Sequence, residues 1–120
     1  MVDIIKMYCR MKGEINMGNL TTISLNFSDG EKEIIGIDDN LPEVIAECIR
    51  SAIEGKTIYS ISCGWQGCIV KRKTPNSKFP YYVSNYRNGE YTWVHDYLYA
   101  KHFSKQTAER HVKELYRRGE

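Results

Sequence analysis

Hydrophobic and polar positions change their period three times along this chain of 120 residues. TTISLNF alternates, with Ile23, Leu25 and Phe27 on one side and Thr22, Ser24 and Asn26 on the other, before Ser28-Asp29-Gly30-Glu31 leads into KEIIGI. That spacing predicts two antiparallel strands joined by an Asp-Gly turn. Ahead of them, DIIKMYC (residues 3–9) reads as a further strand and Gly13 to Asn19 as a loose loop, so that residues 1–19 are a strand plus loop. From Asn40 the period lengthens. Leu41, Val44, Ile45, Cys48, Ile49, Ala52 and Ile53 recur at spacings of three and four, with Glu43, Glu47, Arg50, Ser51 and Glu54 turned away. This is an amphipathic helix. Asn40 and Glu43 supply a capping box, Pro42 fits the first turn, and Gly55 ends the helix in the left-handed region.

After Gly55 the alternation returns. TIYSIS and CIVKR are predicted as strands joined across SCGWQGC, where Gly64 and Gly67 can take positive φ and leave Trp65 and Gln66 at the tip. Then YYVSNY and YTWVHDY flank Arg87-Asn88-Gly89-Glu90, and Asn-Gly between alternating aromatic segments is a strong hairpin signal. Strict alternation groups Tyr82, Ser84 and Tyr86 on one side of the first strand, and Tyr91, Trp93 and His95 on one side of the second. The last change of period begins at Ser104, an N-cap preceded by Phe103, with Ala108, His111, Val112 and Leu115 as the inward stripe of a second helix. The fold class is therefore α+β: one domain over residues 1–120, with an antiparallel sheet of about five to seven strands and two amphipathic helices.

Charge divides this picture. Residues 1–55 carry five Lys and Arg against ten acids; residues 56–120 carry twelve against five. Most of the aromatic residues lie in the basic half, and cations interleaved with rings are suited to phosphates and stacked bases. The opposing reading makes those rings core and sheet surface, with the cations as solubilising decoration. No stretch approaches the roughly 20 apolar residues of a membrane span. The N-terminus lacks a signal-peptide pattern, so the expected location is cytoplasmic, with Cys9, Cys48, Cys63 and Cys68 reduced.

Several chemistries fit poorly. Cys63 and Cys68 are separated by four residues and have no matching second pair, which is not the spacing of a zinc site. A hairpin offers no helix dipole to activate a cysteine nucleophile. No phosphate-cradling glycine loop of the Walker or Rossmann pattern is present, nor a paired-acid signature. The sequence thus predicts no cofactor, no metal and no catalytic residue, but a binding face. Its candidate residues are Trp65, Tyr82, Tyr86, Tyr91 and Trp93 for stacking, and Lys71, Arg72, Arg87, Arg110 and Lys113 for phosphates. Arg117 and Arg118 read as a solvated helix end whose cations favour the dipole.

The stretch FPYYVSNYRNGEYTWVHDYLYAKHFSKQTAERHVKEL, residues 79–115, resembles a ββα arrangement common in small proteins of phages and other mobile elements, in the positions Trp93, Asp96, Ala100, Phe103, Ser104 and Ala108. That resemblance implies an anti-defence protein: an inhibitor, such as an anti-CRISPR protein, or a sponge for immune signalling nucleotides. Its partner would be a nucleotide signal, a host defence effector or nucleic acid, in the host cell cytoplasm. Two other readings stand beside it. The rings could form a protein-interaction or homodimer interface, since Tyr, Trp and Arg are enriched in hot spots. The third is a small enzyme using Cys63, His95 or His102.

Overall fold

The computed structural model describes residues 2–9, 20–27 and 30–119. Its elements are strands β1 (Val2–Cys9), β2 (Leu20–Phe27) and β3 (Lys32–Gly36), helix α1 (Pro42–Glu54), strands β4 (Ile58–Gly64), β5 (Gly67–Lys73), β6 (Tyr81–Arg87) and β7 (Glu90–Val94), a 3-10 turn (Tyr97–Tyr99) and helix α2 (Lys105–Arg118). The α+β class and the two helices agree with the periodicity. The single sheet does not: the strands form two antiparallel sheets, in the orders β1-β2-β3 and β4-β5-β6-β7. β3 and β4, the strands on either side of α1, do not pair with each other, and the two sheets meet through side chains instead of a shared ladder. One such contact is the ion pair between Lys71 on β5 and Glu33 on β3. The loose loop expected before Asn19 lies outside the described residues.

One core joins all the layers. Ile23, Leu25 and Ile35 from the first sheet, Val44, Cys48 and Ala52 from α1, Ile58, Tyr59, Ile61, Val70 and Val83 from the second sheet, and Ala108, Val112 and Leu115 from α2 are all buried in a single cluster. Cys48 is a packing residue, as its place on the helical stripe predicts; burial pushes its thiol up to about 12, so it stays protonated. The Tyr116 hydroxyl of α2 closes the layer by donating to the Tyr59 carbonyl at 2.7 Å and accepting from the Tyr59 amide at 2.9 Å.

The helix ends follow the sequence in part. Gly55 takes the left-handed conformation (φ 69°), and Ser104 accepts from the Thr107 amide as the N-cap of α2. Asn40, in contrast, does not cap α1. Its side chain is buried and ties the preceding loop to β4, donating to the carbonyls of Gly36 and Ile61 and accepting from the Ile61 amide at 2.8 Å. Leu41 occupies the N-cap position without a side-chain bond, and Pro42 follows it in the first turn. A buried amide that satisfies three backbone groups is more stabilising than an exposed cap, so tertiary contacts override the local signal.

Candidate ligand-binding site

The second sheet sets the site through its register. Tyr59 lies opposite Arg72 and Arg72 opposite Tyr81, while Val83 lies opposite Trp93 and Tyr86 opposite Tyr91. A bulge between Val83 and Asn85 shifts the phase of β6. Two residues on the bulged strand then face one on its partner, and alternation breaks at that point. Tyr86 therefore shares the α2 side of the sheet with Val83, Trp93 and Tyr91, whereas Tyr82, opposite Lys71 and Val94, falls on the other side. Strict alternation groups Tyr82 with Tyr86; the bulge separates them.

Helix α2 lies over β4 and β5. Its Ala108, Val112 and Leu115 are buried there, while His111 projects from the edge of that stripe toward the uncovered hairpin β6–β7. The rings of Tyr86 and Tyr91 stand 4.6 Å apart, and the His111 ring lies 4.7 Å from Tyr86. Tyr91 Oη and His111 Nδ1 are hydrogen-bonded at 2.8 Å. The Arg118 guanidinium lies 5.3 Å from the Tyr91 ring centre. Together with Arg110 and Glu114, these rings line an open cavity of about 510 Å³.

Its electrostatics follow from this packing. Partial burial, with Arg110 and Lys101 nearby, lowers the His111 pKa, so the imidazole is held neutral at pH 7. Burial beside Tyr86 pushes Tyr91 up to about 12, which keeps its hydroxyl protonated. Hydrogen bonds from Arg117 and Arg118 hold Glu114 down at about 2. The site thus pairs flat faces with fixed positive charge, and its one carboxylate is already engaged by two guanidinium groups.

A second group of rings continues along the same side. The Arg72 guanidinium lies 4.2 Å over the Trp93 ring and 4.9 Å over Tyr81, and Tyr81 stacks on His95 at 4.0 Å. Trp93 in turn stands 6.0 Å from Tyr91. Arg72 Nε is buried without a hydrogen-bond partner, and the guanidinium is held by its contacts with these rings.

Of the ten residues that the sequence singles out, Arg72, Tyr86, Tyr91, Trp93 and Arg110 are thus gathered on one side. The other five are placed elsewhere. Lys71 is turned to the opposite face, where it pairs with Glu33 and donates to the Ile34 carbonyl, and Tyr82 stacks edge-on against Tyr97. Lys113 pairs with Glu43 of α1 at 3.2 Å. Arg87 is exposed at the end of β6, beside the Asn88–Gly89 turn, where both turn residues have positive φ. Trp65 is 92% exposed at the tip of β4–β5.

That tip corrects one expectation. Cys63 and Cys68, predicted as thiols, are joined by a disulfide. The hairpin register sets them directly opposite each other, with Cα atoms 4.0 Å apart, so the bond closes a ring around the Trp65–Gln66 turn. Gly67 is required there. Its φ is 127°, and a side chain would bring Cβ to 3.0 Å from the Phe103 carbonyl oxygen. The backbone of Cys68 pairs with Phe103 in both directions, at 2.8 and 2.7 Å, and so docks the lead-in to α2 against β5.

The sequence reading does not assign His111, Glu114 and Arg118 to the site, although a signal for them was present. Positions 111, 114 and 118 lie at i, i+3 and i+7, one side of a helix, and that side borders the buried stripe. His95 shares a side with Tyr91 and Trp93, as the alternation predicts, but its contact with Tyr81 needed the cross-strand register, which no local pattern supplies. No family model matches the chain, and no curated protein or solved structure is significantly similar to it.

Proposed function

We propose that this chain is a non-enzymatic binding protein that captures a ligand carrying a base and a phosphate. In the setting that its C-terminal resemblance implies, a phage or mobile element within a host cell, such capture withholds a nucleotide signal from host defence or blocks an effector that handles nucleic acid. The observation that carries this reading is the convergence of Tyr86, Tyr91, His111, Arg110 and Glu114 around one open cavity, with Arg118 set against the Tyr91 ring and paired with Glu114. Tyr86, 38% exposed, offers a ring to a base, and Arg110 and Arg118 offer donors to its phosphate. A thermal-shift screen against linear and cyclic nucleotides tests it. The protein should be stabilised by at least one of them, and Tyr86→Ala and Arg110→Ala should each abolish the shift. A flat screen across all nucleotides sinks the reading.

A second reading, a protein-contact module, draws on a different observation. Trp65, Leu98 and Tyr99 are exposed large apolar side chains, set apart from the cavity on the hairpin tip and the 3-10 turn. On that reading the nucleotide screen is flat, and the protein self-associates or retains a partner at high salt, where charge contacts are screened.

A further inference from the structure

Helix α2 lies over β4 and β5, and on the same side of β6 and β7 it touches the Tyr86–Tyr91 end with His111 and Arg118. On this side the rings form a series along β7 and into the bend that follows it. Tyr91, opposite Tyr86, comes first, Trp93 beneath the Arg72 guanidinium comes second, and His95, stacked on Tyr81, comes third. His95 follows in the bend just past β7, and residues 91 and 93 lie two positions apart on the strand, so the first two stations are separated by about 6.8 Å. That is about twice the 3.4 Å rise of stacked nucleotides. Three bases in a duplex cannot address such stations, whereas three bases parted from one another in a single strand can each rest on its own platform. Base stacking on aromatic rings and on guanidinium planes is the usual means of holding such strands. The surrounding charge is complementary to a sugar-phosphate backbone. Arg72 lies within the series, Arg110 and Arg118 lie at its Tyr91 end, and the carboxylate of Glu114 is engaged by Arg117 and Arg118.

We propose that the ligand of this face is a single-stranded nucleic-acid segment of three nucleotides, laid along β7, with one base at each of the stations Tyr86/Tyr91, Arg72/Trp93 and Tyr81/His95. This inference rests on the base-and-phosphate reading above and extends it from one station to three. It implies little dependence on base identity, because every base has a flat face, and a clear dependence on length.

The test is a binding series at fixed ionic strength with 5′-phosphorylated dT oligomers of one, two, three and six nucleotides, and the matching U oligomers. Affinity should rise by roughly 5- to 150-fold with each added base, the span of a single base-on-ring stack, and should level off at three. His95→Ala, a change at an exposed position, should remove the gain from the third nucleotide. Arg72→Gln should remove the gain from the second. Far-UV circular dichroism of each variant establishes that the fold is retained. If the mononucleotide binds and added length gives no gain, or if both variants retain the wild-type length dependence, the three-station strip is wrong and the single-site reading survives. If no oligomer of any length binds, both fall. A gain confined to the U series or to the dT series would identify RNA or DNA as the source of the strand, and either result supports the strip.

Discussion

The two hairpins of the second sheet each carry one tryptophan but are used in opposite ways. The β4–β5 hairpin is enclosed by α2 on one side; Ile58, Tyr59, Ser60 and Ile61 of β4 and Cys68, Ile69 and Val70 of β5 are buried, and a disulfide closes its tip. The β6–β7 hairpin forms the edge of the sheet. Of its strand residues it buries only Val83, and it carries half-buried and exposed rings that α2 touches with His111 and Arg118 at one end. Their tryptophans are placed accordingly: Trp65 stands free at a tip, and Trp93 lies mid-strand beneath a guanidinium. The difference shows that one supersecondary unit can serve as scaffold or as display surface, depending on whether a helix covers it.

The sharpest way to test that division is to truncate one apolar or polar side chain in each hairpin. Ile69 in β5 is 1% exposed, and Ile69→Ala should cost about 2–5 kcal/mol, the usual range for removing a buried aliphatic side chain and leaving a cavity. Thr92 in β7 is exposed, and Thr92→Ala should stay within about 0.5 kcal/mol. Urea denaturation measures both. Similar losses at the two sites would mean that β7 is as much a part of the core as β5, and would remove the display surface.

The next effect is that of the staple. Joining Cys63 to Cys68 restricts the unfolded chain around a loop of six residues, which by chain entropy is worth about 2 kcal/mol. Cys63→Ser together with Cys68→Ser should lower stability by that amount, and the same loss should appear in the unchanged protein when a dithiol reductant is added. The ring is joined to the Tyr86–Tyr91 site through the Cys68–Phe103 pairing and the Phe103–His111 contact, so ligand binding there should fall less than stability under either treatment. An unchanged denaturation midpoint in reductant would show that the pair does not hold the hairpin.

The contrast also explains what could be read in advance. Both helices were legible because their apolar stripes are long and regular, and the Asn88–Gly89 turn because only a few residue pairs adopt two successive positive φ values. The split into two sheets was not legible, since it depends on where α1 docks. Half of the predicted face was gathered as expected, and the bulge after Val83 decided the rest by moving Tyr82 to the side where Lys71 pairs with Glu33. A single irregular residue in a strand changes which rings share a face, and nothing in YYVSNY marks it. His111 was misassigned for a related reason. A residue at the border of a helical stripe faces inward or toward a neighbouring surface according to how far the helix extends across the sheet.

The smallest expected effect concerns that border. The folded-state pKa of His111 is lowered, by burial first and by Arg110 and Lys101 after it, so the unfolded chain binds a proton at this position more readily than the folded chain does. Stability from this source is complete above the ordinary histidine value of about 6.5 and is lost as pH falls from there toward the lowered folded value. Glu114 acts at lower pH: held down at about 2 by Arg117 and Arg118, it contributes stability above its ordinary value that is lost between there and about pH 2. The denaturation midpoint should therefore decline in two stages on acidification. His111→Gln, which retains a side-chain acceptor for the Tyr91 hydroxyl, should remove the first stage and leave the second. A first stage that persists in this variant would mean that the helix edge does not press His111 against β6–β7, and the boundary between the covered and open halves of the sheet would have to lie elsewhere.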